Sequence, residues 1–251
     1  MGVEVSSISD IGQKRQVNQD SILVYQKASQ NFYLFTVADG MGGYADGEKA
    51  SSAITSGLRE WLNTMLESGL FPGPTAFFTG LGEKMTQISD SIHRTLNQNQ
   101  LCGSTCVTLF FHEDMYGILS VGDSRIYRAQ TWKNELLTKD DVWENQPEVQ
   151  KQFSPQERRR HSNYGKLTLA VGTAEKLSYS MSSGRLKEGD VFALCSDGVY
   201  KMCSDAFFAK MLRKARRHNL DEVRDEVKKE VYRCGAQDNL SLILVRWKQK
   251  A

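Results

Sequence analysis

The chain has 251 residues, 40% hydrophobic and 25% charged, which is the make-up of a soluble globular protein with one sizeable core. Its 32 basic and 30 acidic residues leave a net charge of only +2, which excludes a general pull toward nucleic acid or anionic membrane. No apolar run approaches the roughly 18 residues of a membrane span, no export leader opens the sequence, and neither its four prolines nor any Gly/Ser-rich tract marks a linker. The expectation is one cytoplasmic, monomeric domain over residues 1–251.

In chain order, segments 3–9, 20–27 and 32–38 read as strands, being rich in Val, Ile, Tyr and Phe. A long helix follows over about 46–67, where Ala50, Ala53, Ile54, Leu58, Trp61, Leu62 and Met65 recur at helical spacing. Pro72-Gly73-Pro74 punctuates it, and a second long helix is predicted over 75–97. Strands are predicted at 104–111, 115–121, 125–130 and 134–137. Residues 139–165 break the pattern: they are polar, with Pro147, Pro155 and the run Arg158-Arg159-Arg160-His161, and are read as a flap with one short helix near 147–160. Strands at 166–170, 177–181 and 191–195, helices at 204–217 and 220–233, and a strand at 239–247 complete the chain. Grouped strands and grouped helices favour an α+β fold with sheets and helices segregated, against a doubly wound sheet.

Five aspartates carry the chemistry. Asp20 ends Arg15-Gln16-Val17-Asn18-Gln19-Asp20, and Asp39 opens Asp39-Gly40-Met41-Gly42-Gly43. Asp123 lies in Val121-Gly122-Asp123-Ser124-Arg125, Asp197 in Cys195-Ser196-Asp197-Gly198, and Asp238 precedes Asn239. Most stand at the end of an apolar, β-branched run, where a turn aims a short carboxylate into shared space. A lone Asp-Gly is an ordinary turn. Five carboxylates in such settings point to a site for hard divalent cations, Mn2+ or Mg2+, which take carboxylate and carbonyl oxygens and keep several waters. The five cysteines include no C-x-x-C pair, and three of them sit in apolar surroundings as small hydrophobes.

These motifs, together with Gly103-Ser104-Thr105, resemble in order and over nearly the whole chain the metal-dependent serine/threonine protein phosphatases, the PPM or type 2C family, in their bacterial form. The resemblance implies a four-layer α/β/β/α sandwich, with two antiparallel sheets face to face and helices outside. It implies that Asp39 bridges two ions, that Gly40 offers its carbonyl, and that Asp197 and Asp238 complete the first metal. It further implies that Asp20 holds waters of the second metal, that Asp123 serves a weaker third, and that Arg15 grips the substrate phosphate. A water shared by two dications loses its proton readily and attacks phosphorus in line, so no protein nucleophile is needed. The substrates implied are phosphoserine and phosphothreonine in proteins, including those of a bacterial Ser/Thr kinase.

Other residues have plainer readings. Arg125 reads as a structural ion-pairing residue, Ser104 and Thr105 as hydroxyls near the site, and Glu48 as an acidic residue suited to a helix start. The basic stretch 210–218 reads as a solvated helix face, and Arg158, Arg159 and Arg160 as a solvated loop or a guide for phosphopeptides. Met41 stands where some relatives carry a histidine as general acid, which leaves His161 as a weak substitute. The alternatives are a phosphoprotein-binding pseudo-phosphatase, which would have lost carboxylates, and a regulatory phosphatase of a partner-switching cascade. A metal-dependent nuclease would need a basic groove.

Overall fold

The computed structural model describes residues 2–42, 46–67, 71–97 and 101–248. Gly43, the last glycine of the Asp39 motif, lies outside them. One sheet runs β2 (Asp20–Lys27), β3 (Phe32–Met41), β5 (Cys106–His112), β6 (Met115–Val121), β9 (Ser180–Arg185), with the short β4 (Gly103–Ser104) paired to the end of β3. The other runs β1 (Gly2–Asp10), β11 (Leu240–Lys248), β10 (Val191–Cys195), β7 (Arg125–Ala129), β8 (Asn134–Leu136). Every pairing between these strands is antiparallel.

The central strands read as unbroken apolar runs because both of their faces are buried. Along β3, Phe32, Leu34 and Ala38 pack under α1 (Asp46–Leu66) and α2 (Pro74–Leu96), while Tyr33, Phe35 and Val37 face the second sheet. Along β10 the same alternation sends Val191, Ala193 and Cys195 to a helical layer and Phe192 and Leu194 to the space between the sheets. That helical layer holds α5 (Asp197–Tyr200), α6 (Asp205–Lys214) and α7 (Leu220–Arg233). Three apolar cores therefore separate four layers, helix, sheet, sheet, helix, and the α+β sandwich expected from the sequence is what forms.

Helix starts follow local chemistry. Asn219 caps α7 by accepting from the backbone N–H groups of Asp221 and Glu222, Ser204 caps α6, and Pro74 opens α2. Asp46 and Glu48 stand in the first turn of α1, as a helix dipole favours.

The flap departs from expectation. Its single helix is two, α3 (Pro147–Gln152) and α4 (Pro155–Arg160), because Pro155 cannot continue a helix and Ser154 starts a new one with a capping box to Glu157. No strand forms at 166–170; Leu167 makes only an isolated bridge to Val142, and Val171 one to Ser104. The strand expected at 177–181 lies at Ser180–Arg185, its mostly exposed residues pairing as an edge with β6. Edge position, which depends on the partner strand and not on local pattern, explains this shift.

At the end of β10 remote from its C-terminus, Asp190 is 2% exposed and receives Arg128 through Nε at 3.0 Å and a short contact from Nη2. The Lys187 backbone N–H and Gln130 Nε2 also donate to Asp190, and Arg128 Nη2 donates to the Arg185 carbonyl on β9 at 2.7 Å. This buried pair ties the two sheets together.

Candidate active site

Three of the five aspartates share one geometric origin. Asp123 lies two residues before β7, Asp238 two before β11, and Asp197 two after β10, and these strands are neighbours whose register brings those ends together. The other two come from the facing sheet, where Asp20 is paired directly opposite Asp39 across β2 and β3. Opposed residues of an antiparallel pair point to the same face, with Cβ atoms roughly 5 Å apart. Both sheets thus deliver carboxylates to one end of the sandwich. They surround a pocket of about 480 Å³ whose lining includes Arg15, Asp39, Gly40, Thr105, Asp123, Lys166, Asp197, Lys201 and Asp238. Asp20 lies beneath it, 7% exposed.

Backbone contacts fix Asp39. Its N–H donates to Thr105 Oγ1 at 3.1 Å, and its carbonyl accepts from the Thr105 N–H at 2.8 Å and Ser104 Oγ at 3.0 Å. Thr105 Oγ1 in turn shares a 2.7 Å hydrogen bond with Ser124 Oγ, so the Gly103-Ser104-Thr105 motif is a brace and not a nucleophile. Gly40 is required by close approach: a Cβ there would stand 2.1 Å from the Gly47 carbonyl oxygen and 2.6 Å from that of Gln19. Gly122 has φ of +91° in the turn that presents Asp123, a conformation glycine adopts freely.

The loop carrying Arg15 is stapled to the start of β11. Asn239 Nδ2 donates to the carbonyls of Ile11 and Val17 at 2.9 and 3.0 Å, and its Oδ1 accepts from the Gln19 N–H at 2.9 Å. Arg15 Nη2 then donates to Asp238 Oδ2 at 2.7 Å, although the two are 223 residues apart. On the opposite rim, Lys201 Nζ donates to Asp197 Oδ2 at 2.5 Å and reaches Asp123 Oδ2 at 3.5 Å.

Burial pushes Asp39 well above the usual carboxylate range, and the charges of Asp20, Asp197, Asp123 and Asp238 add to the effect. Asp20 rises to about 6, first through burial and then through Asp197 and Asp238, against the hydrogen bond that Ser196 Oγ donates to its Oδ2 at 2.8 Å. Burial also raises Asp123, with Asp197 adding to it. Burial disfavours the Lys201 ammonium, but Asp197 and Asp123 outweigh it and hold its pKa up.

These facts match a divalent-cation site. The donors are all hard oxygens, and the carboxylates raise one another's proton affinity, which a cation would relieve. Asp20 Oδ1 is buried with no hydrogen-bond partner, an uncommon condition for a carboxylate oxygen. Among the described residues no three acidic, histidine or cysteine side chains converge tightly enough to form a ready-made cage.

A sign follows for pH. An ordinary aspartate titrates near 3.8 and Asp20 near 6, so the folded protein holds the proton more tightly and the stability linked to it is lost as pH rises between those values. In EDTA, the stability gap between Asp20→Asn and wild type should widen in favour of the variant by about 2 kcal/mol from pH 4 to pH 7. Urea unfolding at the two pH values measures it, and a constant gap would refute it.

Sequence reading missed Lys201 and Lys166. Lys201 had a signal, its position four residues after Asp197; Lys166 closes the flap and enters the pocket only because the flap folds back. The flap's own candidates lie elsewhere. Arg158 Nη1 donates to the Glu144 carbonyl at 2.8 Å and lines a separate small cavity with Arg159 and Tyr164. His161 stacks on Trp143 with centroids 4.1 Å apart, and its Nδ1 accepts from the Asn163 N–H. Arg125 is structural as expected: it grips Asp140 through Nε at 3.0 Å and Nη2 at 2.6 Å and stacks over Tyr200. Four of the cysteines are buried thiols, and burial lifts Cys106 to about 12.

Residues 12–231 match the family described as Protein phosphatase 2C. The chain belongs to that family. It is similar to a putative protein phosphatase 2C-type of Streptococcus pyogenes, 28% identical over 257 residues that cover 97% of each chain. It is similar also to the protein phosphatase PhpP of Streptococcus pneumoniae, 28% identical over 206 residues covering 80% of this chain and 81% of that one. The structure of the S. agalactiae serine/threonine phosphatase superposes with a TM-score of 0.86 at 26% identity, covering 99% of this chain and 100% of that one. The catalytic domain of PstP in complex with two manganese ions shares the fold, with a TM-score of 0.79 at 23% identity over 98% of this chain and 99% of that one. This phosphatase is accordingly a protein serine/threonine phosphatase, a hydrolase of phosphoserine and phosphothreonine in proteins. Among its described residues no helix is long and apolar enough to cross a membrane.

Proposed function

We propose that the pocket at the end of the sandwich is the catalytic site of a one-domain, monomeric, cytoplasmic phosphatase that acts on a bacterial Ser/Thr kinase and its targets. The observation that carries this reading is the meeting of Asp39, Asp123, Asp197 and Asp238 in one pocket above the unpartnered oxygen of Asp20. Asp39 and the Gly40 carbonyl would hold two ions, Mn2+ or Mg2+, with Asp197 and Asp238 on the first and Asp20 steadying the waters of the second. When bound, such ions supply an acidic water as nucleophile and positive charge for the phosphoryl oxygens. Arg15 orients the phosphoryl group: its fork stands at the rim, and one of its five N–H donors goes to Asp238. The Ser104 and Thr105 hydroxyls keep the Asp39 backbone from shifting when the pocket fills. Protein hydrolysing phosphothreonine peptides in Mn2+ and losing that activity in EDTA supports the reading; full activity in chelated buffer refutes it.

Arg15 has a test of its own. An exposed ion pair contributes at most about 1 kcal/mol, so a merely structural Arg15 would leave catalysis nearly untouched. As a phosphate ligand, Arg15→Ala should raise KM for phosphopeptides roughly tenfold or more and weaken inhibition by inorganic phosphate, with Mn2+ affinity unchanged. Arg15→Lys should recover only part, since an ammonium keeps the charge without the two-pronged geometry. Unaltered phosphate inhibition in Arg15→Ala would pass the role to another basic group, of which Lys166 lines the same pocket.

A further inference from the structure

The rim between Asp123 and Asp197 already holds a cation that belongs to the chain. Lys201 Nζ lies 2.5 Å from Asp197 Oδ2 and 3.5 Å from Asp123 Oδ2, so a single ammonium contacts both carboxylates. Its position is set from three sides. The Lys201 N–H donates to the Asp197 carbonyl at 2.9 Å, which places the side chain one helical turn beyond the carboxylate it binds. Tyr200, the residue before it, donates its hydroxyl to Asp123 Oδ2 at 3.2 Å. The Tyr200 ring is itself clamped under the Arg125 guanidinium, 3.7 Å from the ring centroid, and Arg125 is anchored by Asp140.

We propose that Lys201 is a tethered cation occupying the place between Asp123 and Asp197, so that this phosphatase binds two exchangeable divalent ions and no third. The inference rests on the two-ion reading of the pocket. A divalent ion bridging Asp123 and Asp197 needs oxygens at about 2.0–2.2 Å, which sets it within contact distance of an ammonium held by the same atoms. Two cations cannot share that space without strong repulsion, and the tethered one is supplied at high effective concentration whatever the metal supply. Asp123, 5% exposed, then serves mainly to seat Lys201.

Mn2+ bound per chain decides the matter, counted by equilibrium dialysis with electron paramagnetic resonance of the free ion. Wild type should bind two. Lys201→Ala should bind the same two and a further ion with millimolar affinity, and Lys201→Ala/Asp123→Asn should lose that ion again. Lys201→Arg, which keeps the charge, should return the count to two. A third ion on wild type, or no added ion on Lys201→Ala with its far-ultraviolet circular dichroism intact, overturns the inference and leaves the two-ion site standing. Failure of wild type to bind Mn2+ at all would instead overturn the reading on which it rests. Half of the Lys201 side chain is solvent-exposed, so its replacement is compatible with folding.

Discussion

Asp39→Asn is expected to lower kcat by at least about a hundredfold, on the order of 3 kcal/mol of transition-state stabilisation. Asparagine has the shape of aspartate and lacks its charge, and at Asp39 that charge is flanked by four other aspartates whose fields it feels. The backbone there is held by Ser104 and Thr105 independently of the side chain, so the variant should fold. It should in fact be more stable than wild type in EDTA, because one member of a repelling cluster is gone, and should gain less on adding Mn2+. Loss of activity together with this inversion of thermal stability identifies a metal role. Loss of activity with an unaltered response to Mn2+ would mean that Asp39 acts otherwise.

Asp190→Ala is expected to destabilise the fold by about 3–5 kcal/mol, the cost of leaving a buried guanidinium without its partner. Arg128 is 7% exposed, and its Nη2 is shared between Asp190 and the Arg185 carbonyl, so the lost charge would be felt in both sheets. Since Asp190 precedes β10 and Asp197 follows it, the damage lies one strand length from the chemistry. Urea unfolding should show the full loss of stability, while Mn2+ affinity of the folded variant stays near that of wild type. A loss under 1 kcal/mol would mean that water reaches Arg128.

The fold was legible where pattern is local. The runs at 32–38 and 191–195 gave buried strands, and the spacing of Ala50, Ile54, Leu58 and Leu62 gave α1, because burial on one or both faces writes itself into the sequence. The flap was legible as irregular, yet the split at Pro155, the absent strand at 166–170 and the displaced edge strand at Ser180–Arg185 depend on partners that no local window contains. The aspartates were visible as motif members and the structure brings them together, but their convergence comes from strand register. Lys201 and Lys166 escaped notice for the opposite reason: a surface lysine is common, and only the third dimension shows what lies beneath it.

The staple through Asn239 has a consequence for how the protein is made. Arg15 and the residues around it leave the ribosome early, but the atoms that hold their loop, Asn239 Nδ2 and Oδ1, are synthesised more than two hundred residues later. The same is true of β1, which among the described residues pairs with β11 alone. The pairings of β2, β3, β5 and β6, by contrast, lie wholly within the first half of the chain. Completing the pocket therefore waits on β11, because Asp238 and the staple that holds the Arg15 loop both arrive with its first residues.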